Sequence, residues 1–285
     1  VRRPTRVLAL GLALAILLIS MAPPAAADAG KPTWSTGDFW AYTYTGSPFA
    51  WINGPGTYRM EVVGIDTVSI GAASYEAYRL RLTVNGSNVV QYHGGDVWYR
   101  TSDLSLVKLT YNVTVTVFFE FTVIVILTYD PPLAIQWPLV VQDTWATSSS
   151  RTTETQLLPL PPGSSRTSVD TTYLVEASST VTVPAGSFET TPLRAQSGER
   201  STTYWAASAG NYARRQTRDG NDQETSSAEL TSFRYSPGFF GLPLIVWILI
   251  LVLLIIVVAA FVSRARRRPQ TPMPPYMPPQ GPPRQ

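Results

Sequence analysis

The sequence predicts a mainly β protein: a duplicated, curved antiparallel sheet, half-barrel or sandwich-like, held outside a membrane by one C-terminal transmembrane helix. Three observations predict it. Between residues 28 and 238, short runs rich in Val, Thr, Tyr, Ile and Trp are broken by Gly, Pro, Asn and Ser, with no sustained 3.6-residue period. One phrase occurs twice, as "TVSIGAASYEAYRLR" (Thr67–Arg81) and "TVTVPAGSFETTPLR" (Thr180–Arg194). A run of 19 uncharged residues, Leu244–Val262, is followed at once by arginines.

The elements follow in order. Residues 1–27 carry Arg2, Arg3 and Arg6, then an apolar run from Val7 to Met21, then small residues before Asp28. That is the layout of a secretory signal cut after Ala27. A twin-arginine export signal and an uncleaved anchor are the rival readings.

The first β unit is assigned to 28–130 and the second to 131–238. Seven of the 15 positions of the repeated phrase are identical at an offset of 113. Each copy reads as strand, tight turn, strand, the turn being Gly71-Ala72-Ala73 in one and Pro184-Ala185-Gly186 in the other. The flanks echo it. Asp38-Phe39-Trp40 and Asp143-Thr144-Trp145 stand upstream, "DVWYR" and "TYWAA" downstream, so the copies start near Trp34 and Trp137 and duplication is the expectation. Recurrence of a common β phrase by composition is the bland alternative. Val113–Leu127 alternates strictly, with apolar residues at every odd position, and predicts one long strand with a buried face.

Residues 239–263 predict the membrane helix, because 19 residues at 1.5 Å rise nearly match a hydrocarbon core about 30 Å thick. Arg264, Arg266, Arg267 and Arg268 follow, which by the positive-inside rule sets the C-terminus in the cytoplasm and the β region outside. The tail, 264–285, is basic and then Pro-rich; it reads as a solubilising tail or a polyproline ligand.

The formal net charge of +3 would suggest an anionic polymer as partner. Counted by segment, the region from Asp28 to Phe240 holds all 19 acidic residues against 12 Arg and 2 Lys, a net −5. The remaining positive charges flank apolar segments as topology signals, so nucleic-acid binding is excluded. The chain has no cysteine, which removes disulfides, thiol catalysis and a cysteine-linked lipid anchor.

The phrases "GDFWAYTYTG", "TVPAGSFETTPLRAQ" and "TYWAASAGNYARR" resemble exported β proteins of unknown function in which a strand, a "PAG-F" turn and a "YW…G" strand recur. Those proteins are similar in outline to the lipoprotein-carrier half-barrels. The resemblance implies a curved sheet sheltering an apolar ligand. The first copy departs from the pattern, with "GAASYE" in the turn and no Gly after "VWYR".

Candidate chemistry is sparse. His93 is the only histidine and no His or Cys cluster exists, so no metal, cofactor or catalytic residue is assigned, and an enzyme is not expected. Asp38 with Asp143, and Glu76 with Glu189, occupy equivalent places beside turns and read as turn residues. Trp40, Trp98, Trp145 and Trp205 are the candidate ligand-lining residues, against the alternative that β cores use Trp heavily. Asn85 and Asn112 head glycosylation sequons. The expectation is thus a single-pass cell-membrane protein with its N-terminal domain extracytoplasmic, binding an apolar ligand, a lipid or an envelope protein. A structural or adhesive envelope subunit without a pocket is the alternative.

Overall fold

The computed structural model describes residues 29–47, 54–86, 90–116, 120–157, 161–197 and 199–236, with positions 251 and 255. Residues 1–238 form one compact unit and 239–285 another. In the first unit the described residues form thirteen strands: β1 (Phe39–Thr45), β2 (Gly56–Ile70), β3 (Ala73–Gly86), β4 (Val90–Arg100), β5 (Leu106–Thr116), β6 (Glu120–Asp130), β7 (Thr144–Leu157), β8 (Gly163–Val175), β9 (Ser179–Val183), β10 (Gly186–Ser197), β11 (Glu199–Ala206), β12 (Asn211–Arg218) and β13 (Glu224–Arg234). Consecutive strands pair antiparallel from β1 to β8 and from β10 to β13. β8 pairs with β10, and β13 pairs with β1. Twelve strands therefore close into a barrel, while β9 pairs only with the first half of β10.

This corrects the predicted half-barrel or sandwich. An open sheet would leave two edges with unpaired backbone groups. Here the pairing of Phe39 with Arg234 through Thr45 with Ser227 satisfies both at once. The predicted membrane helix, 239–263, lies outside the described residues apart from Leu251 and Ile255, which are helical and exposed. Among the described residues no helix is long and apolar enough to cross a membrane. Residues 1–27 and Arg264, Arg266, Arg267 and Arg268 are also outside the described residues.

The single long strand predicted at Val113–Leu127 is a hairpin. β5 and β6 pair Val113 with Val123 and Thr116 with Glu120, so the chain reverses between Thr116 and Glu120. Odd residues pair with odd, which carries the alternation through the reversal without a phase break. Val113, Val125 and Leu127 consequently all join the core.

Both copies of the repeated phrase fold as hairpins, and both sit on the same foundation. Gly37 N–H donates to Val62 O and Val62 N–H to Asp38 O. Correspondingly, Gln142 N–H donates to Val175 O and Val175 N–H to Asp143 O, all within 2.8–3.0 Å. Gly37 and Gln142 both hold positive φ, 90° and 75°. Just beyond Val62 a bulge re-aims β2; just beyond Val175 the chain breaks between β8 and β9. The two arms then pack differently. The arm at the end of β2 and β3 lays Val68 and Ala77 against Trp98 and Val107 in a small separate cluster, its tip close to Asp130. The β9–β10 arm sends Val181, Val183 and Phe188 into the main core, and Ala185 N–H donates to Leu230 O at 3.0 Å.

The end of the barrel where β1 starts, the base, is plugged. Trp34 Nε1 donates to Gly210 O at 2.7 Å, Trp40 Nε1 to Ala209 O at 2.6 Å, Trp137 Nε1 to Asp103 O at 2.8 Å and Trp145 Nε1 to Ala134 O at 3.0 Å. Trp34, from the first half of the chain, thus holds the β11–β12 loop of the second half. Trp137, from the second half, holds the β4–β5 loop of the first. Leu104 and Gly210 occupy corresponding points of these loops with φ of 59° and 64°. The glycine missing after "VWYR" is therefore replaced by a strained leucine, whose side chain is fully buried. The β4–β5 loop is further tied by Asp103, whose Oδ1 accepts from Arg100 Nε and Ser105 Oγ, both at 2.8 Å.

Two outcomes follow from the plug. Trp40→Phe keeps the ring but leaves the Ala209 carbonyl buried without its donor. Unfolding in urea should show a loss of about 1–3 kcal/mol, whereas an unchanged midpoint would deny the indole bond a structural role. Burial opposes ionisation of Asp103, but hydrogen bonds from Arg100 and Ser105 outweigh it and hold the carboxyl below its usual range. Its stabilisation is present above about pH 4 and is lost as pH falls through the folded-state value. Asp103→Asn should therefore flatten the acid limb of a melting-temperature profile below about pH 4.

Candidate functional site

Strand alternation sorts the barrel interior into two unlike halves. From β1 to β3 the inward residues are large and fully covered: Trp40, Tyr42, Met60, Leu80 and Leu82 fill the space. Three tyrosines stack at its border, with ring centroids 4.9 Å apart for Tyr42 and Tyr58 and 4.6 Å for Tyr42 and Tyr212. Tyr42 Oη donates to Tyr212 O at 3.0 Å, and the hydroxyls of Tyr58 and Tyr212 share a 2.8 Å bond.

From β7 to β12 the inward residues are mixed: Trp145, Val175, Leu193, Trp205 and Tyr212 join the core, and small or hydroxylated residues take other inward positions. Trp145 faces in, so by the period of two Thr147, Ser149, Arg151 and Thr153 do as well. Across the same side, Tyr173 pairs with Ala195, Ala195 with Ser201, and Ser201 with Thr217. Tyr99, Thr147, Tyr173, Ala195 and Ser201 stay only half-buried although the sheet closes around them. The open half is a cup whose base is the tryptophan plug and whose rim is the opposite end, the mouth.

Two cations line this cup. Arg215 pairs with Ala228 of the core, which turns it inward. It borders a void of about 20 Å³ together with Tyr58, Tyr99, Tyr212 and Thr217, room for one water. Burial pushes Tyr58, Tyr99, Tyr173 and Tyr212 up, and the Arg215 charge opposes that rise in all four. Arg151 stands directly across the β6–β7 ladder from Tyr129. Arg151 Nε is buried without a hydrogen-bond partner, as are Ser149 Oγ and Trp205 Nε1. Three carboxylates of the wall meet outward arginines: Glu61 with Arg59, Asp96 with Arg79, Glu229 with Arg214.

The outer wall has features of its own. A groove of about 620 Å³ over β10–β12 is lined by Arg194, Arg200, Arg218, Gln196, Gln216 and Asp222, among others. Its three arginines meet two carboxylates, one of them shared. Arg194 pairs with Glu176 at 2.6 Å, Arg218 with Asp222 at 3.4 Å and Arg200 with Asp222 at 4.0 Å.

The four predicted ligand-lining tryptophans do not share a surface. Trp40 is buried in the filled half and Trp145 anchors the base. Trp205 faces in and packs edge-on against Trp137 at 5.2 Å. Trp98 is on the outer wall, where Nε1 donates to Asp66 at 3.2 Å and Lys108 Nζ lies 5.1 Å from the ring. "TYWAA" and "DVWYR" therefore match with a shift of one residue: Trp205 corresponds to Tyr99, and Tyr204 to Trp98. Asn85 ends β3 and Asn112 lies in β5, both exposed. His93 falls in β4, and no group of three His, Cys, Asp or Glu among the described residues could hold a metal ion. Asp38 is buried and accepts from Ser35 N–H at 2.8 Å and Ser236 N–H at 3.2 Å. Asp143 is exposed. Glu76 accepts from Thr101 Oγ1 at 2.9 Å, and Glu189 is exposed on the β9–β10 arm. These carboxylates do not converge.

Sequence reading missed Arg151 and Arg215, though a signal was present. Adjacent arginines in a strand, Arg214-Arg215, must point to opposite faces, so one of them enters any closed sheet.

No protein-family profile matches the chain, and no curated protein matches it. Two solved structures are similar in part. One is a protein from Bacteroides fragilis NCTC 9343, described as exported and of YmcC-like fold; it is 8% identical with a TM-score of 0.40, over 72% of this chain and 99% of that one. The other is a protein described as a lipoprotein from Parabacteroides distasonis ATCC 8503, 10% identical with a TM-score of 0.33, over 73% of this chain and 100% of that one.

The tyrosine cluster makes the alkaline limb predictable. Burial raises Tyr42 and Tyr58 well above 10, foremost among several causes. Raised folded-state values mean that stability is complete below the unfolded value near pH 10 and falls as pH climbs past it. Absorbance at about 295 nm should show these phenols silent until the barrel unfolds. Their titration in the folded protein would contradict the packing.

Proposed function

We propose that this protein is an extracytoplasmic, non-catalytic binding protein that takes a polar ligand into the open half of its barrel through the mouth. The observation that carries the reading is the half-exposed, hydroxyl-rich inner face of β7, β8 and β10–β12 inside a closed sheet with a plugged base. A wall of Thr, Ser and Tyr donors and acceptors suits a hydroxylated ligand, and the greasy residues an apolar ligand would need are already packed in the other half. The secretion-like layout of residues 1–27 supports an extracytoplasmic site.

Closure of the sheet also favours binding over the rival role in envelope assembly. Edge-to-edge assembly needs a long unpaired strand, and among the described strands only β9, five residues long, has a single partner.

The absence of cysteine makes the test direct. Thr217→Cys on the cup wall should react readily with a small maleimide in the folded protein, while Leu230→Cys, fully buried, should react only on unfolding. Protection of Thr217→Cys to the level of Leu230→Cys would mean that the interior is closed and would end the binding reading.

A further inference from the structure

We propose that the free edge of β8 pairs with the same edge of a second copy, antiparallel about a two-fold axis at Ser168, so that two copies share one continuous sheet.

The first argument is a gap in the pairing. β8 has two partners, but it meets the second, β10, only at Tyr173, Leu174 and Val175. β10 then turns into β11, with Ser197 opposite Glu199, while β8 runs on with β7 alone as far as Gly163. Among the described residues no strand lies along the other side of β8 over residues 163–172. Backbone direction alternates along a strand, so the residues that face this gap can be counted. Val175 N–H donates to Asp143 O and Val175 O accepts from Gln142 N–H, on the β7 side, whereas Glu176 N–H donates to Pro192 O, on the β10 side. By twos from Glu176, Ser164, Arg166, Ser168 and Asp170 present their N–H and C=O groups to the open edge. Residues 163–168 and Asp170 are exposed.

The edge also lacks the usual guards. The β7–β8 ladder runs from Thr144 with Leu174 to Thr155 with Gly163 without a bulge, and β8 contains neither Lys nor Pro. A long, regular, unguarded edge is a template for another strand.

The second argument identifies that strand. Arg166 and Asp170 are the only charged residues of β8, and both lie on its outer face, since Tyr173 and Val175 point into the barrel. Neither has an ion pair among the described residues. Arg166 Nε donates to Ser150 Oγ, and Asp170 accepts from Ser148 Oγ at 2.5 Å and Ser168 Oγ at 3.4 Å. Four residues apart on one strand, the two charges are separated by about 13 Å and cannot meet each other. A two-fold axis at Ser168 sets Arg166 opposite Asp170 of the partner subunit and Asp170 opposite Arg166 of the partner subunit. These are edge-facing positions, at which opposed residues exchange two hydrogen bonds. An axis at Arg166 or at Asp170 would oppose like charges. Charge therefore selects both the register and the occupant, because the edge is complementary to itself. The two-fold occupies the edge of both copies, so association stops at two.

The experiment is sedimentation analysis of the full chain and its variants. The parent should dimerise with a dissociation constant in about the micromolar range, as suits a small interface. Arg166→Asp opposes two carboxylates on each side of the axis and should weaken the dimer about tenfold or more, while the double exchange Arg166→Asp with Asp170→Arg should return it to within about threefold of the parent. Because the chain has no cysteine, the register can be read directly. Ser168→Cys should oxidise to a disulfide-linked dimer, its Cα atoms lying about 5.5 Å apart across the axis, whereas Ser164→Cys, about 26 Å from its copy, should not. A parent that stays monomeric at about 100 μM overturns the proposal. So does a dimer indifferent to Arg166→Asp, a loss that the double exchange does not restore, or cross-linking of Ser164→Cys as ready as that of Ser168→Cys.

Discussion

The barrel depends on the four indole N–H bonds to backbone carbonyls at its base. A closed twelve-strand sheet encloses more space than its side chains fill on one side, and loops crossing one end must have their carbonyls satisfied without water. Trp34, Trp40, Trp137 and Trp145 meet both needs, each bringing a large apolar ring and one donor. Trp34 and Trp137 reach across to loops of the opposite half of the chain, so neither half is complete without the other. The abundance of tryptophan that could have marked a ligand groove is accounted for largely by this plug.

With one end sealed, the inward faces acquire distinct roles. The strands of the first half present Trp, Tyr, Leu and Met and pack solid. Those of the second present Thr, Ser and Arg and leave a cup. Electrostatics follows the same division. On the outer wall Glu61, Asp96 and Glu229 pair with Arg59, Arg79 and Arg214, while Arg151 and Arg215 belong to the inward faces of β7 and β12.

The repeated phrase shows how one local instruction serves two ends. Thr67–Arg81 and Thr180–Arg194 both become a strand, a tight turn and a strand, and the same pair of hydrogen bonds roots each arm. One arm packs Val68 and Ala77 beside Trp98 and Val107; the other enters the main core through Val181, Val183 and Phe188. The divergence lies in the bulge after Val62 against the break after Val175. Those are changes of strand direction that the phrase itself does not carry.

Much was legible in the residues alone. Val, Thr and Tyr alternation gave the β class, the turn residues at 71–73 and 184–186 gave the hairpins, and the outward placement of Asn85 follows from its position at a strand end. These are short-range properties, decided by sterics and by the period of two. Whether the sheet closes was not legible, because closure depends on Phe39–Thr45 meeting Ser227–Arg234 some 190 positions away, and no local pattern encodes that pairing. The reversal between Thr116 and Glu120 was hidden because the hairpin register preserves parity. Arg151 and Arg215 looked like ordinary strand arginines for the same reason: alternation says that a side chain points to one face, and only the tertiary structure decides that this face is the inside.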